Sequence, residues 1–93
     1  MIIADLYIGA DNKTGVLDLE RICAITDETF EGYTVIGPNT GRWHQKSEQS
    51  CIVRVFEAGP GFTNNVFSLR EVLKSALEQE AIPIIWTECE ISW

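Results

Sequence analysis

Alternation opens the chain. In IIADLYIG (residues 2–9), Ile2, Ala4, Leu6 and Ile8 share one side of an extended backbone, and Ile3, Asp5 and Tyr7 share the other. Branched residues and a Tyr in that pattern predict a first strand, and ADNKTG behind it carries turn chemistry. Helical spacing then takes over. In DLERICAITDE, Leu19, Ile22 and Cys23 form an apolar stripe, Asp18 is a plausible N-cap, and Gly32 stands just beyond the end. GYTVIG predicts a second strand closed by GPNTG, a turn or bulge, with RWHQ as a resumption of the strand before a KSEQ loop. SCIVRVFE predicts a third strand, with Cys51, Val53 and Val55 on one face and Ile52, Arg54 and Phe56 on the other.

AGPGFTNN then predicts a loop, and VFSLREVLKSALEQE the clearest helix, through Val66, Leu69, Leu73, Ala76 and Leu77. Its start is open between a capping box of Ser68 with Glu71 and a cap at Asn64 or Asn65. AIPIIWTECEISW predicts the last strand, begun by the donor-less Pro83, with Ile84, Trp86, Glu88 and Glu90 opposite Ile85, Thr87, Cys89 and Ile91.

The order β-α-β-β-α-β predicts a single domain over residues 1–93 of ferredoxin-like α+β class. In that class both helices cover one face of a four-stranded antiparallel sheet and the other face stays open. The expected open face carries Ile3, Asp5, Tyr7, Ile36, Ile52, Arg54, Phe56, Trp86, Glu88 and Glu90. Aromatic residues and Arg anchor interfaces, so Tyr7, Ile36, Ile52, Arg54, Phe56, Trp86 and Glu88 are the candidate interface, most simply of a homodimer. Within it, Arg54 would pair with Glu88 or Glu90 across the contact.

LYIG resembles the motif on the first strand of RNA-recognition-motif domains, which share this topology; by that resemblance Tyr7 would stack on a base. The third strand departs from their pattern: Cys51 and Val53 stand where stacking rings belong, and no leading base or Gly is present. A longer run, LYIG, GYTVIG, GRW and EQSCIVRVF, resembles a family of small uncharacterised bacterial domains of the same topology. That family's pattern has Leu-Tyr-Phe-Gly on a strand, Gly-Phe/Tyr-Thr-Val later, and Gly-x-Trp ahead of strand three. The resemblance implies the fold and assigns no catalytic residue; its bacterial members often carry export signals, and no such signal is read here.

Charge changes the functional picture more than composition does. Seven Lys and Arg against 14 Asp and Glu give a net charge of −7, a poor match to nucleic acid, whose binding draws on clustered cations. No apolar run is long enough for a membrane span, and a cytoplasmic location is the expectation. Cys23, Cys51 and Cys89 have neither the even count of a disulfide framework nor the short spacings of a zinc site, so they read as reduced, small hydrophobes.

Three further features carry candidate chemistry. GRWHQK predicts a hairpin tip with Arg42, Trp43 and His44, Trp43 serving either as an anchor or as a cover for the core. His44 is the single histidine, and no nucleophile stands in a recognisable setting beside it. Asp18, Glu20, Asp27, Glu28 and Glu31 form an acidic cluster on or after the first helix, either a solvated face or a mimic of phosphate charge. The expected function is therefore a non-catalytic acidic interaction protein, binding a basic protein partner or itself through the open face, as small phage or mobile-element inhibitors do. The alternative is a small enzyme or ligand-binding protein with a site at a subunit junction near Trp43, His44 and Arg54. Neither a cofactor nor a metal is expected.

Overall fold

The computed structural model of the chain describes residues 1–92, apart from the Trp43 side chain. Strand β1 (Ile2–Gly9) is followed by helix α1 (Leu19–Asp27), strands β2 (Thr34–Trp43) and β3 (Lys46–Phe56), helix α2 (Phe62–Ala76) and strand β4 (Ile84–Glu88). The strands form one antiparallel-paired sheet in the order β2-β3-β1-β4, the ferredoxin-like α+β layout. Each β-α-β unit skips one strand, so the two parallel strands it joins have an antiparallel neighbour between them.

Alternation sorts β1 and β3 as the sequence predicts. Ala4, Leu6 and Ile8 of β1 and Cys51, Val53 and Val55 of β3 are fully buried under the helices. There they meet Ile22 of α1 and Val66, Leu69 and Leu73 of α2 in one core. Asp18 caps α1, its carboxylate accepting from the Arg21 amide at 3.1 Å.

The loops differ more from expectation. Helix α2 begins at Phe62, inside the stretch expected as a loop, with Gly61 as an N-cap that has no side-chain hydrogen bond. Ser68 therefore lies in the helix interior and forms no capping box. Burial of Phe62, stacked edge-on against Phe30 at 6.3 Å, rewards the additional turn. GPNTG is a bulge and not a reversal: the register with β3 shifts between Ile36 and Asn39, and β2 continues to Trp43. Gly37 (φ 129°) runs so close to β3 that a Cβ would stand 3.1 Å from the Ser50 carbonyl.

KSEQ, expected as a loop, opens β3. The reversal falls on His44 and Gln45, both at positive φ (50° and 65°), a two-residue hairpin turn whose twist matches its strands. Because β1 ends opposite Ser50, the pairs from Thr40–Gln49 to Trp43–Lys46 form a two-stranded arm beyond the sheet.

Candidate functional site

The open face is built on three strands of matched parity. Tyr7 pairs with Ile52 and Ile52 with Ile36; Asp5 pairs with Arg54, and Ile3 with Phe56. Tyr7, Ile36, Ile52, Arg54 and Phe56 thus stand together on the side away from the helices, as the alternation predicts.

Strand β4 has the opposite phase. Its register sets Ile85 beside Asp5 and Thr87 beside Ile3, which places those two residues on the open face. Trp86 pairs with the buried Ala4 and Glu88 with Ile2, so both belong to the helix side. Trp86 packs edge-on against Phe62 and Phe67 of α2, at 6.4 and 5.6 Å, and the Arg70 guanidinium lies 5.1 Å above the Phe67 ring. Trp86 and Glu88 are therefore not interface residues of this face. Both rows of β4 contain an isoleucine, so alternation alone gave no phase; the aromatic residues of α2 decide it.

The ionic contact at the centre of the face is also intramolecular. Arg54 donates Nε to Asp5 Oδ1 at 2.8 Å and Nη2 to Oδ2 at 2.9 Å, a two-pronged pair within the sheet and not a link to Glu88 or Glu90. Asp5 is 8% exposed, and its hydrogen bonds hold the guanidinium proton more firmly than usual. Around the pair lie Ile3, Ile36, Ile52 and Phe56, half-buried, with Tyr7 and Ile85 exposed.

At its upper end the face opens into a pocket of about 440 Å³, lined by Tyr7, Gly9, Asn12, Glu48, Ser50, Gln79 and Glu80. Gly9 makes it possible. A Cβ there would stand 2.8 Å from Glu48 Oε1 and 3.2 Å from Gln79 Oε1, so both side-chain oxygens converge over bare backbone. Gln79 also donates Nε2 to the Ala10 carbonyl. Glu48 and Glu80 give the pocket negative charge, and among the described residues no Lys or Arg lines it. Sequence reading missed the pocket because Gly9, Glu48 and Gln79 are far apart in the chain. A larger cleft of about 700 Å³ lies at the other end of the sheet, among Phe30, Tyr33, Phe56 and Phe62, with Glu31 and Glu57.

The other candidate residues scatter. Arg42 donates to the Gln45 carbonyl at 3.2 Å across the hairpin turn, and His44 forms that turn; the expected role of the Trp43 side chain lies outside the described residues. Arg54 is eight residues along β3 from Lys46, roughly 27 Å at the usual rise, so one chain does not bring Arg54 to His44. Of the acidic cluster, Asp18 caps α1 and Asp27 accepts from the Tyr33 hydroxyl at 2.6 Å, which with burial raises the Tyr33 pKa. Glu20 lies in the first turn of α1, Glu28 is its C-cap residue, and Glu31 lines the larger cleft. Cys51 is buried while Cys23 and Cys89 are half-buried, and all three are free thiols.

No known family model matches the chain, and no curated protein matches its sequence. Among solved structures it is similar to a phage SAM lyase in complex with S-methyl-5′-thioadenosine, with a TM-score of 0.67 at 16% identity over 94% of this chain and 80% of that one. It is also similar to the divalent ion tolerance protein CutA1 from Ehrlichia chaffeensis, with a TM-score of 0.50 at 11% identity over 97% and 83% of the two chains. At these identities the likeness is one of fold. Among the described residues no helix is long and apolar enough to cross a membrane.

Proposed function

We propose that this protein acts by docking its open sheet face on a protein surface. The observation that carries the reading is a sheet face that no described helix or strand covers, whose apolar side chains surround one internally paired carboxylate and guanidinium. Both helices pack on the opposite side, and an apolar face of this kind gains by losing its water. An acidic inhibitor of a basic, nucleic-acid-handling partner would use a separate surface, the acidic residues of α1 on the opposite layer. Ile85→Asp places a charge at a residue that is 51% exposed on the face. It is expected to abolish docking without unfolding the chain; docking that survives the change refutes the reading.

A second reading has its own support, the likeness to the phage SAM lyase together with the pocket at the top of the face. S-adenosylmethionine carries a sulfonium cation, and S-methyl-5′-thioadenosine is its neutral thioether fragment. Glu48 and Glu80 suit the cation, and Tyr7 offers a ring and a hydroxyl beside them. On this reading the protein binds S-adenosylmethionine, the substrate's own carboxylate oxygen bonds to Cγ as the Cγ–S bond breaks, and the products are S-methyl-5′-thioadenosine and a homoserine lactone. Calorimetry with both compounds tests it, along with chromatographic detection of released S-methyl-5′-thioadenosine. Glu48→Gln is expected to weaken binding of the cation more than that of the neutral compound; equal loss, or no binding by the wild type, refutes it.

A further inference from the structure

The geometry points to the oxygens of Glu48 and Gln79, converging over Gly9, as the seat of a primary ammonium group, the α-ammonium of S-adenosylmethionine. This rests on the second reading above and supplies the contact by which the pocket tells that compound from its thioether product. Alternation puts Gly9 on the open face with Tyr7, and its register partner Ser50 on the same face with Ile52. The end of β1 therefore leaves bare backbone in the wall of the pocket. A Cβ at Gly9 would stand 2.8 Å from Glu48 Oε1 and 3.2 Å from Gln79 Oε1, which sets the two oxygens no more than about 6 Å apart. One nitrogen making two hydrogen bonds of roughly 2.9 Å spans up to about 6 Å, so a single donor group reaches both.

Both oxygens are acceptors without a donor. Gln79 gives its Nε2 to the Ala10 carbonyl, which fixes the amide and turns Oε1 toward Glu48. Among the described residues neither that oxygen nor the Glu48 carboxylate receives a hydrogen bond or an ion pair. Asn12, on the rim, donates its amide to the Glu78 carbonyl at 2.8 Å instead. An ammonium brings N–H donors for both oxygens and a charge for the carboxylate. A sulfonium brings the charge but no N–H, and leaves Gln79 Oε1 unsatisfied. Two oxygens are also fewer than the roughly six that a calcium or magnesium ion takes. The other end of the amino-acid half is left free. Among the described residues no Lys or Arg lines the pocket, so the substrate carboxylate has no counter-ion there and keeps its electron pair for Cγ.

The test is calorimetry of the wild type and Glu48→Gln with three compounds. S-adenosylmethionine has the ammonium and the sulfonium, S-adenosylhomocysteine has the ammonium and a neutral sulfur, and S-methyl-5′-thioadenosine has neither charge. Glu48 is exposed on the hairpin arm, so the variant should fold, as circular dichroism will check. The wild type is expected to bind both ammonium compounds more tightly than the thioadenosine. Glu48→Gln should weaken both by about tenfold and change the thioadenosine by less than about twofold. Gln79→Leu, which removes an acceptor and no charge, should weaken the same two compounds several-fold; if it fails to fold, Glu48→Gln alone decides. A loss confined to S-adenosylmethionine means that Glu48 reads the sulfonium, which overturns the proposal and leaves the second reading standing. No loss for either ammonium compound also overturns it. Equal loss across all three, or no binding of any by the wild type, overturns both.

Discussion

The phase of strand β4 makes opposite demands on two adjacent residues, Ile85 and Trp86. Trp86→Ala removes an indole that is 38% exposed and stacked on Phe62 and Phe67. A fully buried aromatic replaced by Ala costs about 3–5 kcal/mol. Scaled for the exposed part of the ring, the loss here is about 2–3 kcal/mol. With a urea m-value near 1–1.5 kcal/mol per molar for a small domain, the midpoint should fall by roughly 2 M. Ile85→Ala, on the open face with half its surface in water, should cost the fold less than about 1 kcal/mol. Urea titrations of both variants at matched protein concentration separate the two. A Trp86→Ala variant of wild-type stability, beside a strongly destabilised Ile85→Ala, would refute the register of β4 on β1. Trp86→Asp should therefore unfold the protein and not yield a folded single chain.

Three other outcomes follow from local geometry. Burial, with the nearby Cys23, pushes the Cys51 thiol from 9.0 up to about 11. Between these values the folded state keeps a proton that the unfolded state has lost, so stability should fall as pH rises from 9 to 11. The fall should reach on the order of 2–3 kcal/mol and flatten in Cys51→Ala, as read by denaturation at each pH. Asp18→Ala should cost about 1 kcal/mol through the orphaned first-turn amide of α1, measured by thermal unfolding, while Asp18→Asn should recover most of it. Gly9→Ala drives a Cβ against two flexible side-chain ends, so stability should change by less than about 1 kcal/mol. If the pocket holds S-adenosylmethionine, the variant should nevertheless lose that binding in calorimetry, because the Cβ pushes Glu48 aside.

Strands β1 and β3 were legible because each has one uninterrupted apolar row, and a buried row under helices accepts no polar alternative. Helix α1 was legible through its stripe and its Asp18 cap. The start of α2 was not, since Gly61 supplies no capping side chain and Phe62 is helical through its contacts with Phe30 and Trp86. The hairpin arm was partly hidden, because Gly37-Pro38 carries a turn signature that the pairing with β3 absorbs as a bulge.

The candidate sites divide in the same way. Alternation separated Tyr7 from the buried row of β1, and Ile52, Arg54 and Phe56 from that of β3, because a period of two is a property of each strand by itself. Only the tertiary structure decided the partner of Arg54, the side on which Trp86 lies, and the convergence of Glu48 and Gln79 over Gly9. Each of those is a relation between segments distant in sequence, set by register and by helix packing. Local preference along the chain contains no term for either.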